Sequence, residues 1–189
     1  MKATSVYNLT LIAVCAAIIT ILAFVAIPIG VMGVPLVVQN TVVIAIGMLI
    51  GAKRGTLAVL LWLALGLIGL PVMAGGHSLW AALAGPTVGY IVGYIFAAAA
   101  SGAIAYRVTA ESSAVAQVGT FILAGTVGLL LEYAAGVVGL VLRAGQSLSA
   151  ATVAQGAFIL PDIAETVVMV VVALAVHRAL PQLRRPVLA

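Results

Sequence analysis

The sequence predicts an all-α integral membrane protein, a bundle of six transmembrane helices with both termini cytoplasmic. Three observations carry that prediction. Hydrophobic residues make up 65% of the chain and charged residues only 6%, with a mean hydropathy of +1.35. A soluble domain carries about 25% charged residues, so no water-facing surface fits this composition. Long apolar runs alternate with short breaks of turn chemistry, and the basic residues gather on one side of the resulting topology. A span takes roughly 20 apolar residues. The 189 residues therefore hold six spans with short loops, read as one domain over 1–189 with no soluble part beside it.

The first run covers 8–27 and contains the single cysteine, Cys15, which reads as a small packing residue. No small-residue cleavage site follows, so the run reads as a retained helix and not as a signal peptide. Pro28, Gly30, Gly33 and Pro35 break the chain before the second run, 36–52. A tight Gly51-Ala52-Lys53-Arg54-Gly55 turn leads into the third, 55–71, which Pro71, Gly75 and Gly76 close. The fourth run, 80–106, carries Gly85, Gly89, Gly93 and Ala97 at every fourth position, and the fifth, 114–142, carries Gly125, Gly128, Gly136 and Gly139. Small residues at that spacing let helix backbones approach within lipid, where hydrophobic drive between helices is absent. Arg107 to Ser113 forms a polar link, and Gly145 to Ser149 opens the last loop. Pro161 is expected to start the sixth helix, 159–180, because a missing amide donor costs little there.

With six spans, seven of the eight basic residues (Lys2, Lys53, Arg54, Arg107, Arg178, Arg184 and Arg185) share the side of the termini, and only Arg143 lies opposite. The positive-inside rule makes that side cytoplasmic. It also accounts for the net charge of +4 without a nucleic-acid partner. The lipid bilayer is the surrounding partner.

The outer side is poor in charge and rich in other polar groups. Gln39 and Asn40 lie early in the second run, and Gly75, Gly76, His77 and Ser78 form an outer connection. Thr87 begins the membrane part of the fourth run, and Asp162 and Glu165 sit in the expected first turn of the sixth. All fall at one depth, where they can line a small polar cavity. Each has a plainer alternative. An acid at a helix start gains about 0.3–1 kcal/mol from the helix dipole alone. His77 fits an exposed loop, and buried amides often serve only helix contacts. Glu132 lies deep in the fifth run, where an acid is expensive and is a functional candidate by default. The chain has no GxxxxGK[ST] phosphate loop, no HExxH and no GxSxG. No catalytic role, metal or cofactor is expected.

Four segments in register then carry a resemblance. Gly33-Val34-Pro35-Leu36-Val37-Val38-Gln39-Asn40 is similar to the VPITLQ-type segment of the biotin-binding S components (BioY family) of energy-coupling factor (ECF) transporters. Gly51 to Gly55 resembles their GxKRG turn, Gly69-Leu70-Pro71-Val72-Met73-Ala74-Gly75-Gly76 their GLPVFAGG stretch, and Gly85-Pro86-Thr87-Val88-Gly89-Tyr90 their GPTGGY. The resemblance runs from about residue 8 to 180.

It implies a six-helix subunit that captures biotin, or a related vitamin, from outside. Such a subunit docks on a transmembrane coupling protein that sits on two cytoplasmic ATPases, in the plasma membrane of a prokaryote. Ala13 and Ala17 match the A-x-x-x-A pattern that family members present to the coupling protein. Asp162 matches the family's biotin-binding aspartate, whereas Glu165 stands where the family has lysine and Val88 where it has glycine. A cyclic urea, a thioether ring and a carboxylate are the three demands of biotin. The expected assignment gives the urea to Asp162 with Asn40 or Gln39, and the walls to Trp80, Tyr90 and Tyr133. The carboxylate falls to His77 or Arg143, the outer-side cations, or to water at the mouth. Gly75, Gly76, Thr87 and Glu165 complete the candidate site. The competing reading is a stand-alone proton-coupled transporter with Glu132, Glu165 and Asp162 as a relay.

Overall fold

A computed structural model describes residues 3–31 and 34–184. Helix α1 (Ala3–Leu22) leads into a short hairpin of β1 (Ala26–Val31) and β2 (Val34–Val37). Helices α2 (Gln39–Leu67), α3 (Leu79–Ala84), α4 (Val88–Ala105), α5 (Ala114–Ala144), α6 (Leu148–Ala154) and α7 (Gly156–Ala179) follow. Among the described residues, four stretches are long and apolar enough to cross a membrane: Gln39–Leu67, Val88–Ala105, Ala114–Ala144 and Leu148–Ala179, with Val6–Leu22 a shorter apolar helix.

Gln39–Leu67 is two helical arms that meet at a kink. Gly51 has φ 82° and ψ 167°, a conformation open to glycine alone. A β carbon placed on Gly55 would stand 2.9 Å from the Gly47 Cα. Eight residues of straight helix span about 12 Å, so the chain folds back at Gly51. The second and third apolar runs are thereby the two antiparallel arms of one helical hairpin, 39–50 and 52–67. The turn expected at 51–55 is where the reversal occurs. At the open end of this hairpin the Gln39 amide and the Trp62 indole both donate to Val72 O, at 3.1 and 3.0 Å. Gln39 Nε2 also reaches Ile19 O at 3.4 Å, which ties α1 to the same point.

The structure redraws other boundaries. The first helix ends at Leu22 instead of residue 27, because the chain enters the hairpin at Ala26, whose strand pairs Ala26 with Val37 and Ile27 with Leu36. The fourth run is interrupted between α3 and α4, at residues 85–87 around Pro86. Pro161 does not start the last helix. It lies inside α7, which begins at Gly156. A proline within a membrane helix is tolerated where neighbouring groups compensate the lost amide. In consequence Asp162 sits in the second turn of its helix, past the orphan amides with which a first-turn acid would interact.

Serine hydroxyls cap three helices by accepting a backbone N–H: Ser78 from Ala81, Ser113 from Ala116 and Ser147 from Ala150, each at 3.2 Å. Gly145, with φ 64°, ends α5 in the left-handed conformation typical of a helix C-terminus. Helix α2 is buried at the centre of the bundle, while Val167, Val171 and Val172 of α7 and Ile122 and Leu130 of α5 face outward. Helices α4 and α5 cross with their backbones in contact. A β carbon on Gly139 would lie 2.6 Å from Gly89 N.

The end of the bundle at the Gly51 reversal is closed by a buried arginine, Arg54, 3% exposed. Its Nε donates to Ile50 O at 2.6 Å and its Nη2 to Leu183 O and the Tyr106 hydroxyl. The Tyr106 hydroxyl in turn lies 3.0 Å from Leu49 O and 2.9 Å from Leu183 O, and its single proton is donated to one or the other. Helix α7 and the turn that follows it are thus clamped to the α2 reversal by carbonyl oxygens.

Candidate functional site

At the opposite end, beside the β hairpin, the helices enclose a cavity of about 400 Å³. That lies within the roughly 300–1,000 Å³ of small-molecule sites, which are mostly apolar with a few placed polar groups. The start of α2 supplies Gln39 and Asn40, and the 73–77 turn supplies Met73 and His77. Thr87, Tyr90, Ile91 and Tyr94 come from the α4 side, Glu132 and Tyr133 from α5, and Phe158 and Asp162 from α7.

Asp162 is the hub of its polar groups, and only 3% exposed. Asn40 Nδ2 donates to its Oδ1 at 3.0 Å, and the Tyr133 hydroxyl donates to its Oδ2 at 2.6 Å. One carboxyl group thus joins α2, α5 and α7 through side-chain hydrogen bonds. Each of its oxygens retains acceptor capacity. Glu132, 1% exposed, also lines the cavity, which places it at the binding level of the bundle.

The remaining candidates divide by position. Gln39 borders the cavity, but its amide N–H groups are engaged by Ile19 O and Val72 O. Tyr90 presents its ring, with its hydroxyl donating to Gln155 Oε1 at 2.7 Å. Thr87 donates to Ala82 O at 3.2 Å, and His77 is an exposed residue on the rim. Gly75 and Gly76 do not line the cavity. With φ of 68° and 77° they make the turn that carries Met73 and His77 to it. Trp80 is 59% exposed and turned away, its indole donating to Leu67 O at 3.2 Å. Glu165 stands behind the lining and accepts from Thr41 Oγ1 at 2.7 Å. Arg143 is exposed and apart from the cavity. Ala13 and Ala17 are both exposed on α1.

Tyr94, Phe158, Met73 and Ile91 line the cavity without having been singled out from the sequence. Tyr94 had a usable signal, since it lies one helical turn beyond Tyr90 and so on the same face. The others are apolar residues within apolar runs and offer no contrast.

Fold and cavity together define a multi-pass helical membrane protein with a small-molecule pocket built inside one end of its bundle. Residues 1–182 match the model of the BioY family, and the chain belongs to that family. It is 37% identical over 182 residues to the biotin transporter BioY of Rhizobium etli, covering 95% of this chain and 97% of that protein. It is 40% identical to the biotin transporter BioY of Rhodobacter capsulatus, over 92% of this chain and 95% of that one. Among solved structures, it resembles the S-component for biotin from an ECF-type ABC transporter, with a TM-score of 0.85 and 30% identity over 94% of each chain.

Proposed function

We propose that this chain is the substrate-capture subunit of an ECF-type vitamin importer, binding biotin from outside for ATP-driven uptake with partner subunits. The observation that carries the reading is the Asp162 hub, which sets hydrogen-bonding groups from three helices into a largely apolar cavity. That combination suits a ligand with a polar cyclic head and an apolar ring and chain. Asp162 and Asn40 serve the head, Tyr90, Tyr133 and Phe158 wall the ring, and His77 meets the carboxylate at the rim. Thr87 and the Gly75–Gly76 turn shape the mouth. Glu165 is a positioning residue that accepts from Thr41 behind the cavity lining.

In this reading the whole chain, 1–189, is one binding domain. Its six spans are α1, the two arms of α2, α4 with α3, α5, and α7. Lys53, Arg54, Arg107 and Arg178 then share the side of both termini, which is cytoplasmic by the positive-inside rule. The cavity opens on the outer face of a prokaryotic plasma membrane. The exposed Ala13–Ala17 face of α1 docks on the coupling protein, which links the subunit to two ATPases.

The test is calorimetric titration of the detergent-purified chain with biotin. Saturable binding is expected, and Asp162→Ala is expected to weaken it at least about tenfold, since hydrogen bonds to charged groups contribute about 1.5–3 kcal/mol each. Folded wild-type protein that binds no biotin would remove biotin as the ligand. An Asp162→Ala variant with wild-type affinity would remove the hub from the site.

A further inference from the structure

Away from the cavity beside the β hairpin, a groove of about 290 Å³ lies on the outside of the bundle between α5 and α7. Leu129, Val170 and Leu174, each no more than 8% exposed, form its floor. Ile122, Val167 and Val171, each more than half exposed, form its walls. At its centre the two helices come close, because a β carbon on Gly125 would stand 2.6 Å from Thr166 Cγ2.

The dimensions of the groove fit one component of a bilayer. Its lining runs from Val118 to Leu129 on α5 and, antiparallel, from Leu174 back to Ile163 on α7. Eleven residues of helix rise about 16 Å. One leaflet is about 15 Å deep, half of the hydrocarbon core. A helix with its side chains is about 10–12 Å across, so 16 Å of it fills on the order of 1,000 Å³ or more. The groove takes an extended chain and not a further helix.

Its two ends differ in polarity. Arg178 follows Leu174 by four residues, so it continues the groove face of α7 by one turn, about 6 Å. It is exposed and forms no ion pair with any described residue. Arg107 is exposed at the same end of the bundle, on the link into α5, which also carries the exposed acid Glu111. At the other end the face of α7 continues from Ile163 into Leu160 and Ile159, which are apolar and exposed. A groove with an apolar shaft and one basic end matches an amphiphile with an anionic head.

We propose that this groove holds one acyl chain of an anionic phospholipid, whose phosphate meets Arg178. In the orientation given above, Arg178 lies at the cytoplasmic surface and the groove opens on the cytoplasmic leaflet. Anionic lipids of that leaflet attract basic residues next to a membrane span. The lipid site is separate from the vitamin cavity and goes beyond the capture reading.

The test is native mass spectrometry of the detergent-purified chain, titrated with phosphatidylglycerol and with phosphatidylcholine of the same acyl chains. Wild type is expected to retain one phospholipid, and to hold phosphatidylglycerol about fivefold more tightly. Arg178→Gln is expected to erase that preference, and Arg143→Gln, at the opposite end of the bundle, to keep it. Val167→Phe builds a ring into the groove and is expected to weaken retention of both lipids. Melting temperature and biotin titration verify that each variant is folded. Equal retention of the two lipids by wild type would overturn the proposal, as would a preference that survives Arg178→Gln or full retention by Val167→Phe. A wild-type dimer that Val167→Phe separates would also overturn it, since the groove would then belong to a second copy. If Val167→Phe does not fold, Arg178→Gln against Arg143→Gln decides. Biotin binding is read separately, so failure of the lipid site leaves vitamin capture standing.

Discussion

The backbone contact between α4 and α5 makes a quantitative prediction, tested by one substitution at two sites. A β carbon on Gly139 would lie 2.6 Å from Gly89 N and 2.7 Å from Gly89 Cα, whereas ordinary contact begins at 3.4 Å. The obstacle is backbone, so no side chain can swing aside, and Gly139→Ala must part the helices by roughly 0.8 Å. A gap of about 0.5–1 Å forfeits a quarter to a half of each dispersion contact along the seam. Overpacking of this kind costs about 1–3 kcal/mol. Gly119, on the same helix, has nothing within 4 Å of its added β carbon. There alanine gains up to about 1 kcal/mol from helix propensity alone. The two substitutions therefore move stability in opposite directions. At about 2–4 °C per kcal/mol for a chain of this size, their melting temperatures in detergent should differ by several degrees. Gly139→Ala should also weaken ligand binding, because Tyr90 and Tyr94 on α4 and Glu132 and Tyr133 on α5 all line the cavity beside this seam. Equal melting temperatures for the two variants, or a higher one for Gly139→Ala, would refute the argument.

Two further outcomes follow from the ends of the bundle. Gln39→Leu removes the amide that joins Ile19 O and Val72 O. It should lower stability by about 1–3 kcal/mol, read as a fall in melting temperature, while Trp62 keeps its bond to Val72 O. Arg54→Lys loses the fork that serves Ile50 O and Leu183 O together. It should destabilise by about 2 kcal/mol or more and make the C-terminal segment more open to proteolysis; an unchanged cleavage pattern would count against the clamp.

The membrane class was legible because nothing but lipid suits this composition, and the turn at 51–55 was legible from its glycines and charges. The break around Pro86 and the placement of Pro161 were not. Proline marks a helix start in water, but inside a bundle it can sit in a later turn, and only the surrounding packing decides. That one displacement moves Asp162 from a dipole-facing position to the centre of a hydrogen-bonded hub. Asn40 and Asp162 stood out because polar groups are conspicuous in an apolar chain, whereas Glu132 was conspicuous but not placed at the cavity by its position in the run. The aromatic half of the cavity did not stand out, since Phe158 and Tyr94 resemble any packing residue until the helices are placed. Trp80 has the chemistry of a pocket wall, yet its face of α3 points outward. Sequence distinguishes residue types well and helix rotation poorly.

The fold-back at Gly51 bears on the order in which the molecule is assembled. Gly47 and Gly55 meet across eight residues of chain, so that closure is entropically cheap. The bond from Asn40 to Asp162 spans 122 residues, and that from Tyr133 to Asp162 spans 29. Local contacts form early and distant ones late. By that rule the helical hairpin of α2 is expected to form early and the docking of α7 that completes the cavity late. A ligand held between α2, α5 and α7 would act on that final step, favouring the assembled bundle over one whose last helix has yet to seat.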